Sequence, residues 1–327
     1  MTSGREIVVF ARQDIPGEYV DRMRQMGVRC AIEPWDFTEP EPVPAADLSA
    51  CEVILTTGLF DPLRILQKAP RVRWVHSISV GIDAFRRENL QLRELTVTNS
   101  KGCNSIPVAE HAIALMMALA RGIPSIVRNQ TARTWKAEPV KELHGSTVGL
   151  VGFGEIGMET ARRCNSLGMR VLACRKNPDK SAGQPALADA VFGLDRLEDM
   201  LPQIDYLILA LPLTDETRHL MDRRKFARLQ TGCYLINVGR GDVVHEPALL
   251  ESLSSGRLAG AALDVFETEP LPPHHPLWEF ENVIVSPHRA YDSPRNPKRQ
   301  MELFLHNLRC YLEGKPLRNV VDVHQGY

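Results

Sequence analysis

Gly152-Phe153-Gly154-Glu155-Ile156-Gly157 follows the apolar run Thr147-Val148-Gly149-Leu150-Val151 and leads into a helical stretch, Met158 to Leu167, that Gly168 ends. A Gly-x-Gly-x-x-Gly loop with a strand before it and a helix after it belongs to a βαβ unit that binds a dinucleotide. Gly152 permits the tight turn, Gly154 lets backbone N–H groups approach a pyrophosphate, and Gly157 lets helix and strand pack closely. Glu155 and Ile156 lie between the second and third glycines, where a helix N-terminus adds partial positive charge. The competing reading is a glycine-rich turn in a plain βαβ unit, and both flanks argue against it.

The next strand bears on the choice of dinucleotide. An NAD site normally carries an acid at that strand's end, to accept hydrogen bonds from the adenosine ribose. Here Arg170-Val171-Leu172-Ala173-Cys174 ends in Arg175-Lys176, and the nearest acid, Asp179, lies beyond Asn177-Pro178. Arg175 and Lys176 suit a 2′-phosphate, so NADP is expected in preference to NAD. The alternative is that both are solvated loop charges.

At 327 residues the chain is longer than one hydrophobic core usually grows, so two domains are expected. Ile7 to Phe10, helical Glu18 to Met26, Val28 to Ile32 and Val53 to Leu55 set up a first βαβ series. Glu33 to Pro44, with four prolines, reads as a surface loop. A long helix from Ile106 to Arg121 is apolar all round, which implies packing on two sides. A second series follows: Ser146 to Val151, Val171 to Ala173, Tyr206 to Leu211, Tyr234 to Val238, Ala259 to Asp264 and Val283 to Val285. Lys298 to Leu312 is again helical, closes at Gly314 and precedes a short extended stretch, Asn319 to Val323. The expected fold is α/β, two doubly wound Rossmann-like domains. Residues 103–289 form a dinucleotide domain inserted into a discontinuous substrate domain, 1–102 and 290–327, with a cleft between them.

A net charge of -1, with Lys and Arg spread along the chain, does not suit a nucleic-acid partner. The opening residues have no apolar core or cleavage site, and the longest uncharged apolar run, Ala112 to Ala120, is too short to cross a bilayer. Seven cysteines without a C-x-x-C pair read as reduced and structural, and the adjacent His274 and His275 diverge, so no metal is expected. The bulk numbers fit a soluble, cytoplasmic protein.

Three later strand ends carry unusual polar residues: Asn237-Val238-Gly239-Arg240-Gly241, Leu263-Asp264-Val265-Phe266-Glu267-Thr268-Glu269-Pro270 and Ser286-Pro287-His288-Arg289-Ala290. Carboxyl ends of parallel strands are where ligands bind. With Ser77-Ile78-Ser79-Val80-Gly81-Ile82-Asp83, Val108-Ala109-Glu110, the glycine loop and Leu211-Pro212-Leu213-Thr214-Asp215-Glu216-Thr217, nearly the whole chain resembles the D-isomer-specific 2-hydroxyacid dehydrogenases.

That resemblance implies a hydride transfer between a nicotinamide dinucleotide and a small 2-keto or 2-hydroxy acid. It places catalysis on Arg240, Glu269 and His288. The residue types fit: an alkoxide left by hydride addition needs a proton, which imidazole supplies near working pH. A carboxylate beside the ring favours the imidazolium, and an arginine fork holds the substrate carboxylate and polarises its carbonyl. The resemblance further implies that backbone amides of Ser79, Val80 and Gly81 bind the substrate carboxylate and that Asp264 meets the nicotinamide amide. Val108, Leu211, Pro212, Thr217, Val238 and Gly239 are implied as further cofactor contacts. It also implies a homodimer, which the apolar helix Ile106 to Arg121 suits, and Trp135 resembles a family position that can reach the neighbouring active site, an amphipathic surface tryptophan being the equal reading.

Glyoxylate or hydroxypyruvate reduction fits a basic dinucleotide pocket, although the lid positions Thr57 to Phe60 do not identify the R group. A dinucleotide-sensing corepressor on the same scaffold is the competing function, and the lack of appended tails favours the enzyme. Formate oxidation is disfavoured because Glu269 stands where those relatives carry an amide. The long regulated phosphoglycerate dehydrogenases are disfavoured because the chain ends after Asn319 to Val323.

Overall fold

The computed structural model describes residues 7–34, 44–56, 62–81, 95–178 and 187–321. In chain order the elements begin with β1 (Ile7–Ala11), α1 (Gly17–Gln25), β2 (Val28–Ile32), β3 (Cys51–Thr56), α2 (Pro62–Lys68), β4 (Trp74–Ser77) and β5 (Thr96–Asn99). They continue with α3 (Ser105–Ala120), α4 (Ile123–Thr131), β6 (Thr147–Val151), α5 (Glu155–Ser166), β7 (Arg170–Cys174), β8 (Ala190–Phe192), α6 (Leu197–Met200) and β9 (Tyr206–Leu209). The last are α7 (Arg223–Arg228), β10 (Cys233–Asn237), α8 (Glu246–Ser254), β11 (Leu258–Leu263), β12 (Val283–Val285) and α9 (Asn296–Leu312). Asp179, Ile82, Asp83, Thr57 to Phe60 and most of the Glu33 to Pro44 loop lie outside the described residues.

The chain divides into two compact units, Met1–Cys103 with Pro294–Tyr327, and Asn104–Ser293. In the first, a parallel sheet runs in the order β2-β1-β3-β4-β5. Successive side chains point to opposite faces, and both faces are apolar, as a parallel sheet covered on two sides requires. Phe10, Ile54 and Val75 pack with Ile65 and Leu66 of α2. Val9, Val53, Leu55 and Trp74 pack with Tyr19 and Met23 of α1 and with Phe304, Leu305 and Leu308 of α9. The C-terminal helix therefore completes a core begun at residue 7, which makes this unit discontinuous. Of the extended stretch expected after it, Asn319 is left-handed (φ 55°) and Val320 makes one antiparallel bridge to Thr98, while 322–327 lie outside the described residues.

In the second unit the parallel order is β12-β11-β10-β9-β6-β7-β8. The chain moves outward from β6 in one direction and from β9 in the other, so the order reverses between these neighbours. Loops at the carboxyl ends diverge there, and that is where open α/β sheets bind ligands. Val148 and Leu150 join α3 and α5 on one face through Ala112, Met116, Ala161 and Cys164. Val151, Leu207 and Leu209 join α6, α7 and α8 on the other through Met200, Phe226 and Leu249. Both units are thus doubly wound α/β folds of Rossmann type.

Helix α3 buries Ala112, Leu115, Met116 and Leu119 in this core, but Ile106 and Met117 stay exposed, as do Ile123, Ile126 and Val127 of α4. No single helix among the described residues is long and apolar enough to cross a membrane; α3 and α4 pass that test only as a pair bent by 64°.

Candidate active site

The glycine loop lies at the switch between β6 and β9. Gly152 has φ 104°, and a Cβ there would stand 2.6 Å from the Ala210 carbonyl oxygen, so only glycine fits. Gly154 faces open space, with nothing within 4 Å of a Cβ placed on it. Helix α5 starts at Glu155, three residues earlier than the periodicity indicates, so Glu155 and Ile156 form its first turn. N–H groups in a first turn lack intrahelical acceptors and point outward. An unobstructed backbone and a helix N-terminus fit the pyrophosphate of a dinucleotide.

The Gly152 N–H donates to the Cys174 carbonyl at 2.9 Å, which ties the loop to the end of β7 and to Arg175 and Lys176 just beyond. Lys176 pairs with Glu216 at 2.7 Å, both side chains being about half exposed. Thr217 is buried; its hydroxyl accepts from Thr214 N–H (2.7 Å) and donates to the Pro212 carbonyl (2.8 Å), so it staples the turn that follows Leu211. Val108 and Val238 are buried in one cluster with Phe153, and Gly239 N–H donates to Asn237 Oδ1 at 3.0 Å.

Arg240, Asp264, Glu269 and His288, spread over three strand ends, converge within this unit. Arg240 is half-buried; its Nη1 donates to the Gly239 carbonyl at 2.8 Å, and Asn237 Nδ2 donates to the Arg240 carbonyl at 3.1 Å. Glu269 Oε1 accepts the Phe266 N–H at 2.9 Å, and Oε2 lies 2.7 Å from His288 Nδ1. The hydrogen bond that the His288 ring donates to Glu269 raises the His288 pKa above the ordinary imidazole range, while burial and the charge of Arg240 pull against it. Burial pushes the Glu269 carboxyl upward, but the His288 ring, the Phe266 N–H and Arg240 outweigh it and hold Glu269 below the usual carboxylate range.

His288 has φ 52°, a left-handed conformation uncommon outside glycine. Its N–H donates to the Asp264 carbonyl at 2.9 Å. Asp264, 1% exposed, accepts the N–H groups of Arg289 and Ala290, each at 2.9 Å, and the Ser286 hydroxyl. The loop that presents His288 is therefore anchored on the carboxylate that ends β11.

Ser79, Val80 and Gly81 belong to the other unit, in the turn after β4. Asn99 Nδ2 donates to the Val80 carbonyl at 2.8 Å and Ser77 Oγ to the Ser79 carbonyl at 3.2 Å, which fixes the turn from the strand side.

Sequence reasoning missed Glu216 as the partner of Lys176 and His111 as a neighbour of Asp264, 3.4 Å away. His111 directly follows the matched Val108-Ala109-Glu110, which is the one signal that could have drawn attention to it. All seven cysteines are thiols, and burial pushes Cys164, Cys174 and Cys233 up to about 12, so they are unreactive. Among the described residues no three His, Cys, Asp or Glu converge in a way that would hold a metal ion.

Residues 113–290 match the family described as D-isomer specific 2-hydroxyacid dehydrogenase, NAD binding domain. The chain is 31% identical over 328 residues to the glyoxylate reductase of Korarchaeum cryptofilum (strain OPF8), covering 96% of this chain and 95% of that protein. It is 33% identical over 294 residues to glyoxylate/hydroxypyruvate reductase B of Pectobacterium carotovorum subsp. carotovorum (strain PC1), covering 87% and 91%. The crystal structure of a D-isomer specific 2-hydroxyacid dehydrogenase from Xanthobacter autotrophicus Py2, in complex with NADPH and MES, matches with a TM-score of 0.83 at 29% identity, over 99% of this chain and 100% of that one.

The chain belongs to the D-isomer specific 2-hydroxyacid dehydrogenase family. It is an oxidoreductase dependent on a nicotinamide dinucleotide.

Proposed function

We propose that this enzyme reduces a small 2-keto acid of the glyoxylate or hydroxypyruvate class, with NADPH as the preferred reductant. The observation that carries the reading is the 2.7 Å contact between Glu269 and His288. Substrate class rests on the named activities of the Korarchaeum and Pectobacterium relatives. In our reading the unit Asn104–Ser293, a few residues off the expected 103–289, binds the dinucleotide, and Met1–Cys103 with Pro294–Tyr327 binds substrate.

The bound dihydronicotinamide would supply a hydride to the keto carbon. The chain's own residues do the rest. With Nδ1 committed to Glu269, His288 gives its proton from Nε2 to the oxygen that becomes the hydroxyl. Glu269 keeps the ring charged and fixes its orientation. Arg240 holds the substrate carboxylate and polarises the keto group, helped by the backbone amides of Ser79, Val80 and Gly81. Gly152, Gly154, Glu155, Ile156 and Gly157 hold the pyrophosphate, Arg175 and Lys176 the 2′-phosphate, and Val108, Leu211, Pro212, Thr217, Val238, Gly239 and Asp264 line the remainder of the cofactor path.

A panel of 2-keto acids followed by NADPH absorbance tests this function. Turnover of at least one is expected; tight dinucleotide binding without turnover would favour a dinucleotide sensor instead. Glu269→Gln removes the charge that raises His288, so its pKa falls. Because reduction needs the imidazolium, the alkaline decline of the reduction rate moves to lower pH, and a pH–rate profile of the variant checks it.

For the cofactor, replacing both Arg175 and Lys176 by alanine should raise the Kd for NADPH about ten- to a hundredfold, the usual worth of hydrogen bonds to a charged group. The Kd for NADH should change little, and equal losses for both would refute the 2′-phosphate pocket. Tying up Lys176 in the exposed pair with Glu216 weakens this preference only slightly, since such pairs contribute about 0–1 kcal/mol.

The enzyme in our reading is a cytoplasmic homodimer joined through the apolar residues that α3 and α4 leave exposed, with the fully exposed Trp135 nearby. Light scattering should give twice the chain mass for the wild type and a smaller species for Ile126→Glu. A monomeric wild type would contradict the assembly.

A further inference from the structure

Behind the His288 loop a second histidine completes the hydrogen-bond shell of Asp264. His111 Nε2, from α3, stands 3.0 Å from Ser286 Oγ and 3.4 Å from Asp264 Oδ1. Four groups on other elements crowd one buried carboxylate, which accepts only. Burial works against the charge of Asp264, yet His111, Ser286 and the N–H groups of Ala290 and Arg289 together hold its pKa below the usual range. The single Ser286 hydrogen goes to Asp264 Oδ1. The contact between Ser286 Oγ and His111 Nε2 must then take its hydrogen from the imidazole.

We propose that His111 is a positioning residue for His288: the hydrogen on its Nε2, shared between Ser286 Oγ and Asp264 Oδ1, holds residues 286–290 in the shape that aims the His288 ring at Glu269. The inference rests on the reading of His288 as the proton donor. His288 needs such support because its left-handed backbone is unfavourable, and a loop in that state persists only when its surroundings over-determine it. The anchors come from β11 through Asp264, from the end of β12 through Ser286 and from α3 through His111. The charged groups acting on His288 are Glu269 and Asp264, which raise its pKa, and Arg240, which lowers it. The Tyr291 ring packs edge-on, 6.2 Å away between centroids. Loosening the loop draws the ring away from Glu269 and so lowers its proton affinity.

The test follows the His288 ring in protein labelled on histidine, by NMR titration, with His288→Gln to assign the signal. His111→Phe fills the space without a donor, and His111→Gln keeps an N–H at similar reach. In His111→Phe the His288 titration should move down by about half a unit or more. The kcat for reduction should fall about ten- to a hundredfold, with KM changed less. His111→Gln should restore most of both. A folded His111→Phe protein with unchanged titration and kcat overturns the proposal, as does a His111→Gln protein that is equally impaired. If His111→Phe does not fold, Ser286→Ala enters the same measurement, with a downward shift expected and an unchanged His288 titration overturning it. Normal turnover in His288→Ala would sink the proton-donor reading, while the titration would still report on the loop.

Discussion

His288→Ala should lower kcat for 2-keto acid reduction by about 10²- to 10⁴-fold, the usual contribution of a positioned general acid. The keto oxygen gains negative charge as hydride arrives, and without a donor that charge must be met by water. Dinucleotide affinity should stay near the wild-type value, because the glycine loop and the Arg175-Lys176 pair belong to other strand ends of the sheet. The loss should therefore fall on kcat. A loss in KM for NADPH with kcat preserved would move His288 from chemistry to binding.

Arg240→Ala should reduce kcat/KM for the keto acid by about 10²- to 10³-fold, the range seen when one preorganised donor to a developing charge is removed. Two terms are expected: a weaker hold on the substrate carboxylate, which raises KM, and loss of polarisation at the carbonyl, which lowers kcat. Arg240→Lys should recover little, since an ammonium keeps the charge but not the planar pair of donors. Loss of Arg240 also removes a charge that lowers the His288 pKa, so the alkaline limb of the residual reduction should move upward. Wild-type rates in Arg240→Ala would remove it from the site.

Much of the fold was legible because its signals are local. The strand before Gly152, the helix after it and the glycine spacing all fall within about twenty residues, so periodicity and turn chemistry report them directly. The strand ends carrying Arg240, Glu269 and His288 were legible for the same reason, and β10, β11 and β12 being neighbours brings them together. Strands β4 and β5 escaped notice. Trp74, His76, Ser77, Thr98 and Asn99 are buried but largely polar, and a hydropathy pattern does not reveal that Trp74 Nε1 and His76 Nδ1 both meet the Thr98 hydroxyl. Burial pulls His76 down to about 3, so it sits neutral in that core.

Pairings across long separations were invisible for a different reason. Lys176 meets Glu216 forty positions away, and His111 meets Ser286 at a separation of 175. Neither contact leaves a trace in local spacing. The helix holding His111 reads as apolar all round, so one polar ring on its sheet-facing side looked incidental. The left-handed backbone of His288 was equally hidden, because no glycine or asparagine marks it.

In the proposed mechanism a charged His288, sustained by Glu269, gives a proton to the keto oxygen. The pH dependence of kcat/KM measured in both directions on the wild-type enzyme tests it most directly. Reduction should decline and 2-hydroxy acid oxidation should rise through one shared pKa lying above the ordinary imidazole value. Profiles that are flat, that move in the same direction, or that turn below that value would contradict it.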